Sequence, residues 1–165
     1  MKHTAIYPGT FDPATNGHLD IIMRAAQIFD KVIIAVLNNG AKNPVFSVKQ
    51  RIAHLKAITK DLKNVEVDSF GGLLADYMRK KNARVAIRGL RAVSDLEYEF
   101  QIAHTNRRLN PDMETVFLMP SARYTYLTST IVREVYSHGG RLKDMLHPEV
   151  EKALIKIYKK SLKKG

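Results

Sequence analysis

Five short apolar runs separate stretches of helical periodicity along the 165-residue chain. Most of the runs are continuously apolar rather than alternating, which is typical of parallel strands covered by helices on both faces. They predict strands at 4–7, 32–37, 65–69, 84–87 and 115–119. Alternation of strands with helices predicts an α/β fold, with a doubly wound five-stranded parallel sheet, flanking helices and one domain over 1–165.

The stretches between these runs predict amphipathic helices. An apolar stripe over 19–26 marks the first helix. Ser47 with Gln50 reads as a capping box that opens the second. Apolar residues over 73–78 mark the third helix.

Ser94 with Glu97 predicts another capping box, which opens a helix to about residue 109. A short helix from about residue 129 and a last one from about residue 148 follow. The helix to residue 109 has two apolar stripes, which suggests burial on two sides, within the domain or against another subunit. The stripes are Leu96, Phe100 and Ala103 on one side, and Tyr98 and Ile102 on the other.

Polar or glycine-containing stretches follow all five predicted strands. Ligands of such sheets bind outside the carboxyl ends of the strands, which meet at one edge. We therefore expect one ligand site there, built from 9–18, 38–42, 71–74, 88–91 and 120–130.

Composition narrows the classes of protein and ligand. The chain has no cysteine, hence no disulfide and no thiolate metal site. No apolar run approaches the roughly 18 residues of a membrane span, and the start lacks an apolar signal-peptide core. We expect a cytoplasmic protein with no membrane partner.

A net charge of +11 favours binding of polyanions, either nucleic acid or small phosphate-rich substrates. Part of this charge lies in a basic tail at about 159–165, which is more often solvated than binding.

The first candidate motif runs over residues 5–18, from a strand through a turn rich in glycine and proline into a helix. Gly9 would let an anionic ligand approach the backbone. The open N–H groups and positive dipole end of the helix favour phosphate. His18 adds a donor that can become cationic.

The sequence Tyr-Pro-Gly-Thr-Phe-Asp-Pro-x-Thr-x-Gly-His resembles the motif of the bacterial phosphopantetheine adenylyltransferases. They form a branch of the nucleotidylyltransferase superfamily with Thr, here Thr15, in place of the usual first His. The resemblance covers nearly the whole chain. It implies a Rossmann-like fold, a homohexamer, and transfer of AMP from ATP to 4'-phosphopantetheine. It also implies Mg²⁺ held mainly by the ATP phosphates, with no metal ligand from the protein.

Two later motifs add phosphate-binding groups. Arg88 and Arg91 flank a Gly-Leu pair after a strand, and their forked guanidinium groups suit phosphate oxygens. The stretch 124–133 resembles the superfamily's Ile-Ser-Ser-Thr-x-x-Arg element, with hydroxyls at Thr128, Ser129 and Thr130. A simple N-cap would explain one of these hydroxyls but not a run of three.

The resemblance assigns roles to individual residues. His18 would stabilise the transition state. Without the resemblance, Glu99 would be interpreted as a solvent-exposed helix residue and Leu74 as a core residue. Substrate contacts would come from Thr10, Lys42, Leu74 and Arg88. ATP contacts would come from Thr10, Phe11, His18, Gly89, Leu90, Arg91, Glu99, Tyr124, Thr125, Tyr126, Leu127, Thr128, Ser129 and Thr130.

Three other functions stay open. The nearest is another nucleotidylyltransferase, for instance one acting on nicotinate mononucleotide; the Thr-x-Gly-His form and Arg-Gly-Leu-Arg argue against it. A small basic nucleic-acid-binding protein would show salt-dependent binding and no ATP turnover. We expect no nucleic-acid partner, because no aromatic-interleaved basic motif or helix-turn-helix pattern stands out. An inactive nucleotide sensor is disfavoured because His18 is present.

Overall fold

The structure, a computed structural model, describes residues 3–38 and 44–162. Strands and helices alternate through this part of the chain, with one turn of 3-10 helix at Ala122–Tyr124. The strands are β1 (Thr4–Gly9), β2 (Lys31–Leu37), β3 (Val65–Phe70), β4 (Val85–Gly89) and β5 (Glu114–Leu118). The helices are α1 (Asn16–Ile28), α2 (Val48–Ile58), α3 (Leu74–Lys80), α4 (Val93–Leu109), α5 (Ser129–Ser137) and α6 (Pro148–Leu162).

All five strands are parallel and lie in the order β3-β2-β1-β4-β5, which confirms the predicted sheet. The chain builds outward from β1 to β3 and then crosses to β4 on the other side of β1. The strand order therefore reverses between β1 and β4, and such a switch point is where open α/β sheets form their binding crevice. Both strands run two residues beyond their predicted ends, because Gly9 pairs with Val36 and Gly89 pairs with Leu118.

Alternate side chains of the central strand enter two separate cores. Tyr7 packs on the face covered by α1 and α2, with Ile22, Ile34 and Leu55. Ile6 packs on the opposite face, with residues of β2 and α3. Both faces are covered, which explains why the strand sequences are apolar throughout.

The helix starts agree with the sequence in one case and differ in another. Ser47 and Gln50 form the expected capping box, each side chain binding the other's backbone N–H. The box predicted at Ser94 and Glu97 is wrong, since α4 begins at Val93 without a side-chain cap. The Leu90 N–H binds the Leu118 carbonyl as β4 ends, and the helix then starts too early for Ser94 to lie outside it.

The two apolar stripes of α4 are not buried within the chain. Among the described side chains of this helix, Glu99 is the buried one. Tyr98 is 63% exposed and Phe100 is 46% exposed, so burial within the domain is wrong for these two.

A third cluster joins α5 and α6 beside the sheet. Phe46, Tyr136 and Leu154 are among its buried members. Helix α6 starts at Pro148 as expected and continues to Leu162, so much of the predicted basic tail is helical. Within residues 3–38 and 44–162, no helix is long and apolar enough to cross a bilayer.

Candidate active site

A cavity of about 290 Å³ lies at the carboxyl ends of β1 and β4, at the switch point of the sheet. Two helices, α1 and α5, begin at its edge. It is lined by Tyr7, Pro8, Gly9, Phe11, Thr15, Gly17, His18, Ile21, Arg88, Gly89, Arg91, Glu99, Pro120, Tyr124, Leu127, Thr128, Ser129 and Thr130. Most of the residues singled out from the sequence therefore meet in one place.

Some of the expected residues do not line this cavity. The Thr10 carbonyl is held by Arg51, with 2.7 Å from Nη1 to the oxygen. Leu90 belongs to the turn after β4, and Leu74 packs partly buried against the core under α3. Thr125 and Tyr126 also lie outside the lining. Lys42 lies outside the described residues.

His18 is held by the residue that caps its helix. The Thr15 backbone N–H donates to His18 Nδ1 at 3.0 Å, and the Thr15 hydroxyl accepts from the His18 backbone N–H. Burial, helped by Arg91, lowers the pKa of His18 to about 4. With this pKa the imidazole is neutral near pH 7, so the cationic form that the sequence suggested would require a lower pH or a nearby negative charge. Because Nδ1 accepts, the single ring proton sits on Nε2 and can be donated into the cavity.

Phe11 fixes the position of this imidazole. Its backbone is left-handed, with φ of 52°. Its ring packs edge-on against Tyr7 and His18, at centroid distances of 5.3 and 5.1 Å. A Cβ on Gly9 would lie 2.8 Å from the Phe11 ring. A side chain at residue 9 would therefore displace the Phe11 ring. Gly9 also lines the cavity, and the close approach of a ligand to its backbone stays a prediction. Phe11, Thr15 and His18 form what we call the α1 wall.

The three hydroxyls at the start of α5 each have a protein partner. Thr128 accepts from the Ile131 N–H at 2.9 Å as the N-cap. Ser129 donates to the Pro13 carbonyl at 2.8 Å, and Thr130 accepts from Arg133 at 3.3 Å. The N-cap role thus accounts for one of the three hydroxyls, that of Thr128, as the sequence predicted, while Ser129 and Thr130 make other contacts. The N-terminus of α5 still points its positive dipole end at the cavity.

The opposite side of the cavity, which we call the β4 wall, consists of Arg88, Gly89, Arg91 and Glu99. Arg88 Nε and Nη2 donate to the two oxygens of Glu99, at 2.6 and 2.7 Å. Arg91 pairs with Asp95 at 3.3 Å. Glu99 is therefore a buried counter-ion for Arg88 rather than a solvated residue. The sequence gives no sign of a pairing between a strand end and a helix eleven residues later.

A buried charge network behind Thr10 was missed by sequence reasoning. The Asp12 carboxylate, 2% exposed, accepts the backbone N–H of Phe46 at 2.9 Å. Arg51, 3% exposed, donates to the Phe46 and Thr10 carbonyls. Arg133 donates to the Asp12 carbonyl at 2.6 Å. Asp12 belongs to the first motif, but nothing in the sequence marks Arg51. The network joins the β1–α1 loop to the segment before α2.

Residues 6–135 match the cytidylyltransferase-like family model. That span runs from β1 to α5 and contains every residue that lines the cavity. Two curated relatives are named phosphopantetheine adenylyltransferase. One, from Caldanaerobacter subterraneus subsp. tengcongensis, is 55% identical over 95% of this chain and 98% of its own length. The other, from Thermodesulfovibrio yellowstonii, is 52% identical over 97% of this chain and 100% of its own.

The chain belongs to the phosphopantetheine adenylyltransferase family. The fold also agrees with a solved bifunctional NMN adenylyltransferase/ADP ribose pyrophosphatase from Francisella tularensis. The TM-score is 0.72 at 20% identity, over 96% of this chain and 52% of that one. The motif by which the sequence resembles the phosphopantetheine adenylyltransferase family supplies the α1 wall.

Proposed function

We propose that this chain transfers the adenylyl group of ATP to 4'-phosphopantetheine and releases pyrophosphate, forming dephospho-CoA. The names of two relatives more than 50% identical support this reaction. One structural observation carries it: two helix N-termini and two arginines converge on a single cavity with a neutral imidazole donor. Such a set of donors suits bound polyphosphate.

The chemistry needs charge stabilisation rather than a base. A phosphate oxygen of the acceptor attacks the α-phosphorus of ATP in line, and the bond from that phosphorus to the pyrophosphate oxygen breaks. The attacking oxygen is already anionic, so neither a general base nor a covalent intermediate is required. His18 Nε2–H donates to the oxygens of the α-phosphoryl group, where negative charge grows in the transition state.

The remaining cavity groups divide between the two substrates. Arg88, already oriented by Glu99, binds the acceptor together with Thr10, Lys42 and the neighbourhood of Leu74. The phosphates of ATP bind at the N-terminus of α5 and at Arg91. The adenine ring contacts Gly89, Leu90 and Tyr124. Tyr124 is 7% exposed, and the Arg123 guanidinium carbon lies 4.6 Å from the centroid of its ring. Holding both polyanions in line supplies much of the rate enhancement.

We also propose that Mg²⁺ arrives with ATP and is held mainly by its phosphates. Glu99 is the acidic side chain among the described residues that line the cavity, and Arg88 occupies both of its oxygens. Within the described chain, no group of three or more His, Asp or Glu side chains could hold a metal. In this proposal phosphate oxygens and water coordinate the ion, which neutralises part of the phosphate charge.

A panel of acceptors tests the reaction. Purified protein is given ATP and Mg²⁺ with 4'-phosphopantetheine, nicotinate mononucleotide or nicotinamide mononucleotide, and pyrophosphate release is measured. We expect turnover with 4'-phosphopantetheine alone. Faster turnover with a mononucleotide, or no turnover with any acceptor, would overturn the proposal.

We further propose that the protein acts as a homohexamer. The exposed apolar side chains of Val93, Tyr98 and Phe100 on α4 support association of copies. Sedimentation should give six times the mass of one chain, and a monomer at micromolar concentration would contradict this.

The cytoplasm remains the predicted compartment, supported by the absence of cysteine.

A further inference from the structure

A tyrosine hydroxyl with no assigned role lies at the floor of the cavity. Tyr7, on β1, is 5% exposed and lines the cavity. Its ring is held edge-on by Phe11. Its Oη lies 3.4 Å from where a Cβ on Gly89 would stand. The hydroxyl is therefore fixed where β1 and the β4 wall adjoin.

No described residue forms a hydrogen bond with this hydroxyl. Two other buried tyrosines differ, since Tyr77 donates to Asp68 and Tyr136 to Glu151, both at 2.8 Å. Among the described residues, His54 Nδ1 is the fully buried side-chain nitrogen or oxygen that lacks a hydrogen-bond partner. Tyr7 Oη also lacks a protein partner but is not among the fully buried atoms, so it remains accessible from the cavity. The hydroxyl is therefore open to the cavity, where water or a bound ligand can accept its hydrogen bond.

The charges nearby decide what kind of partner fits. Burial, with a smaller contribution from Glu99, raises the pKa of Tyr7 above its ordinary value, while Arg88 and Arg91 oppose that rise. The phenol therefore stays protonated and neutral at any working pH. Two guanidinium groups and one carboxylate, that of Glu99, lie close to this neutral O–H donor, and the surplus of positive charge favours an anionic acceptor.

We propose that Tyr7 Oη donates a hydrogen bond to a phosphate oxygen of a substrate bound between Arg88 and Arg91. This inference rests on the proposed function and adds a binding group to its site. Both substrates carry phosphate, so the test treats them separately.

Tyr7→Phe removes the hydroxyl and keeps the ring that packs against Phe11. Calorimetry on the variant and the wild type would measure binding of ATP, 4'-phosphopantetheine, adenosine and pantetheine. A hydrogen bond to a charged group corresponds to about a 10- to 100-fold loss of affinity. We expect that loss for a phosphorylated ligand, with adenosine and pantetheine bound as in the wild type. Loss with ATP alone, or with 4'-phosphopantetheine alone, identifies which phosphate is contacted.

Tyr136→Phe is the matched control, because Tyr136 is 3% exposed but its hydroxyl has a protein partner away from the cavity. It should lower the urea midpoint and leave ligand binding unchanged, whereas Tyr7→Phe should leave the midpoint unchanged. Affinities of Tyr7→Phe within twofold of wild type for both phosphorylated ligands would overturn the inference. So would failure of Tyr7→Phe to fold, because a hydroxyl without a protein partner is not needed for folding. If the wild type binds neither substrate, the proposed function is itself wrong.

Discussion

The two walls of the cavity prepare their donors in opposite ways. On the α1 wall, His18 is neutral, and its ring is oriented by a backbone N–H and by the edge of Phe11. On the β4 wall, Arg88 is charged and paired with Glu99. One wall offers an aligned dipole, and the other offers a cation whose orientation a buried carboxylate fixes. The difference suits a reaction in which charge develops at one point while constant charge must be held elsewhere.

The largest expected effect is on the α1 wall. His18→Ala should lower kcat by roughly 100- to 1000-fold, because one donor to the developing charge is lost. The Kd for ATP should change far less, since the contact strengthens in the transition state. Steady-state kinetics and calorimetry would separate the two effects. His138→Ala, at an exposed residue outside the cavity, is the control. Near-normal turnover of His18→Ala would reject the assigned role.

The β4 wall should respond in binding and in stability. Arg88→Ala should raise KM for 4'-phosphopantetheine more than KM for ATP. It should also lower the free energy of unfolding by about 3 kcal/mol, because a buried carboxylate loses its partner. Urea unfolding would measure this, and adding Glu99→Gln should restore part of the loss.

Arg79→Ala provides the matched control, because its ion pair with Asp76 is exposed, with side chains 51% and 66% accessible. Its removal should cost less than about 1 kcal/mol. If Arg88→Ala changed ATP affinity alone, the assignment of Arg88 to the acceptor would be wrong.

The neutral imidazole of His18 on the α1 wall predicts that the free energy of unfolding depends on pH. The pKa of His18 is about 4 in the folded protein and 6.5 ordinarily, so the unfolded chain binds more protons between these values. Above pH 6.5 His18 is neutral in both the folded and the unfolded protein, so there its titration should not reduce the free energy of unfolding. As pH falls from 6.5 to 4, the free energy of unfolding should decrease by about 3 kcal/mol through His18.

Urea unfolding of the wild type and His18→Gln over this range would measure it. The difference between the two proteins separates His18 from His54, whose pKa burial also lowers. A difference that does not change with pH would mean that His18 is readily charged in the folded protein.

The smallest expected effect concerns the start of α5. Thr128→Ala should lower the free energy of unfolding by about 1 kcal/mol through loss of the N-cap, as measured by urea unfolding. Turnover should fall only a few-fold if the hydroxyl acts through the helix. Thr128→Ser, which keeps the hydroxyl, should behave as wild type. A hundredfold loss of kcat in Thr128→Ala would instead make the hydroxyl a direct ligand.

Local patterns were enough to predict the sheet and several helix starts. The Ser47–Gln50 box depends on residues three apart, and it is present. The start of α4 depends on the hydrogen bond from the Leu90 N–H to the Leu118 carbonyl at the end of β5. The capping box predicted at Ser94 is therefore absent, because α4 begins at Val93. Sequence thus specifies short-range hydrogen bonds better than junctions made by distant strands.

The candidate site shows the same limit. Most of the predicted residues meet at the carboxyl ends of β1 and β4, but Leu74 packs under α3, and Lys42 lies outside the described residues. The pairing of Arg88 with Glu99, the low pKa of His18 and the Phe11 ring above Gly9 depend on distances and burial, which the sequence does not display. The contacts of Arg51 join three segments far apart in the chain, so no local pattern could reveal them.

The hydrogen bond from Thr15 to His18 Nδ1 has a consequence for the catalytic cycle. In the proposed reaction that bond leaves the only ring proton on Nε2, so the imidazole would donate a hydrogen bond without losing its proton and would end each transfer in the state in which it began. The same donor would then stabilise the transition state of the reverse reaction with pyrophosphate, because forward and reverse transfer share one transition state.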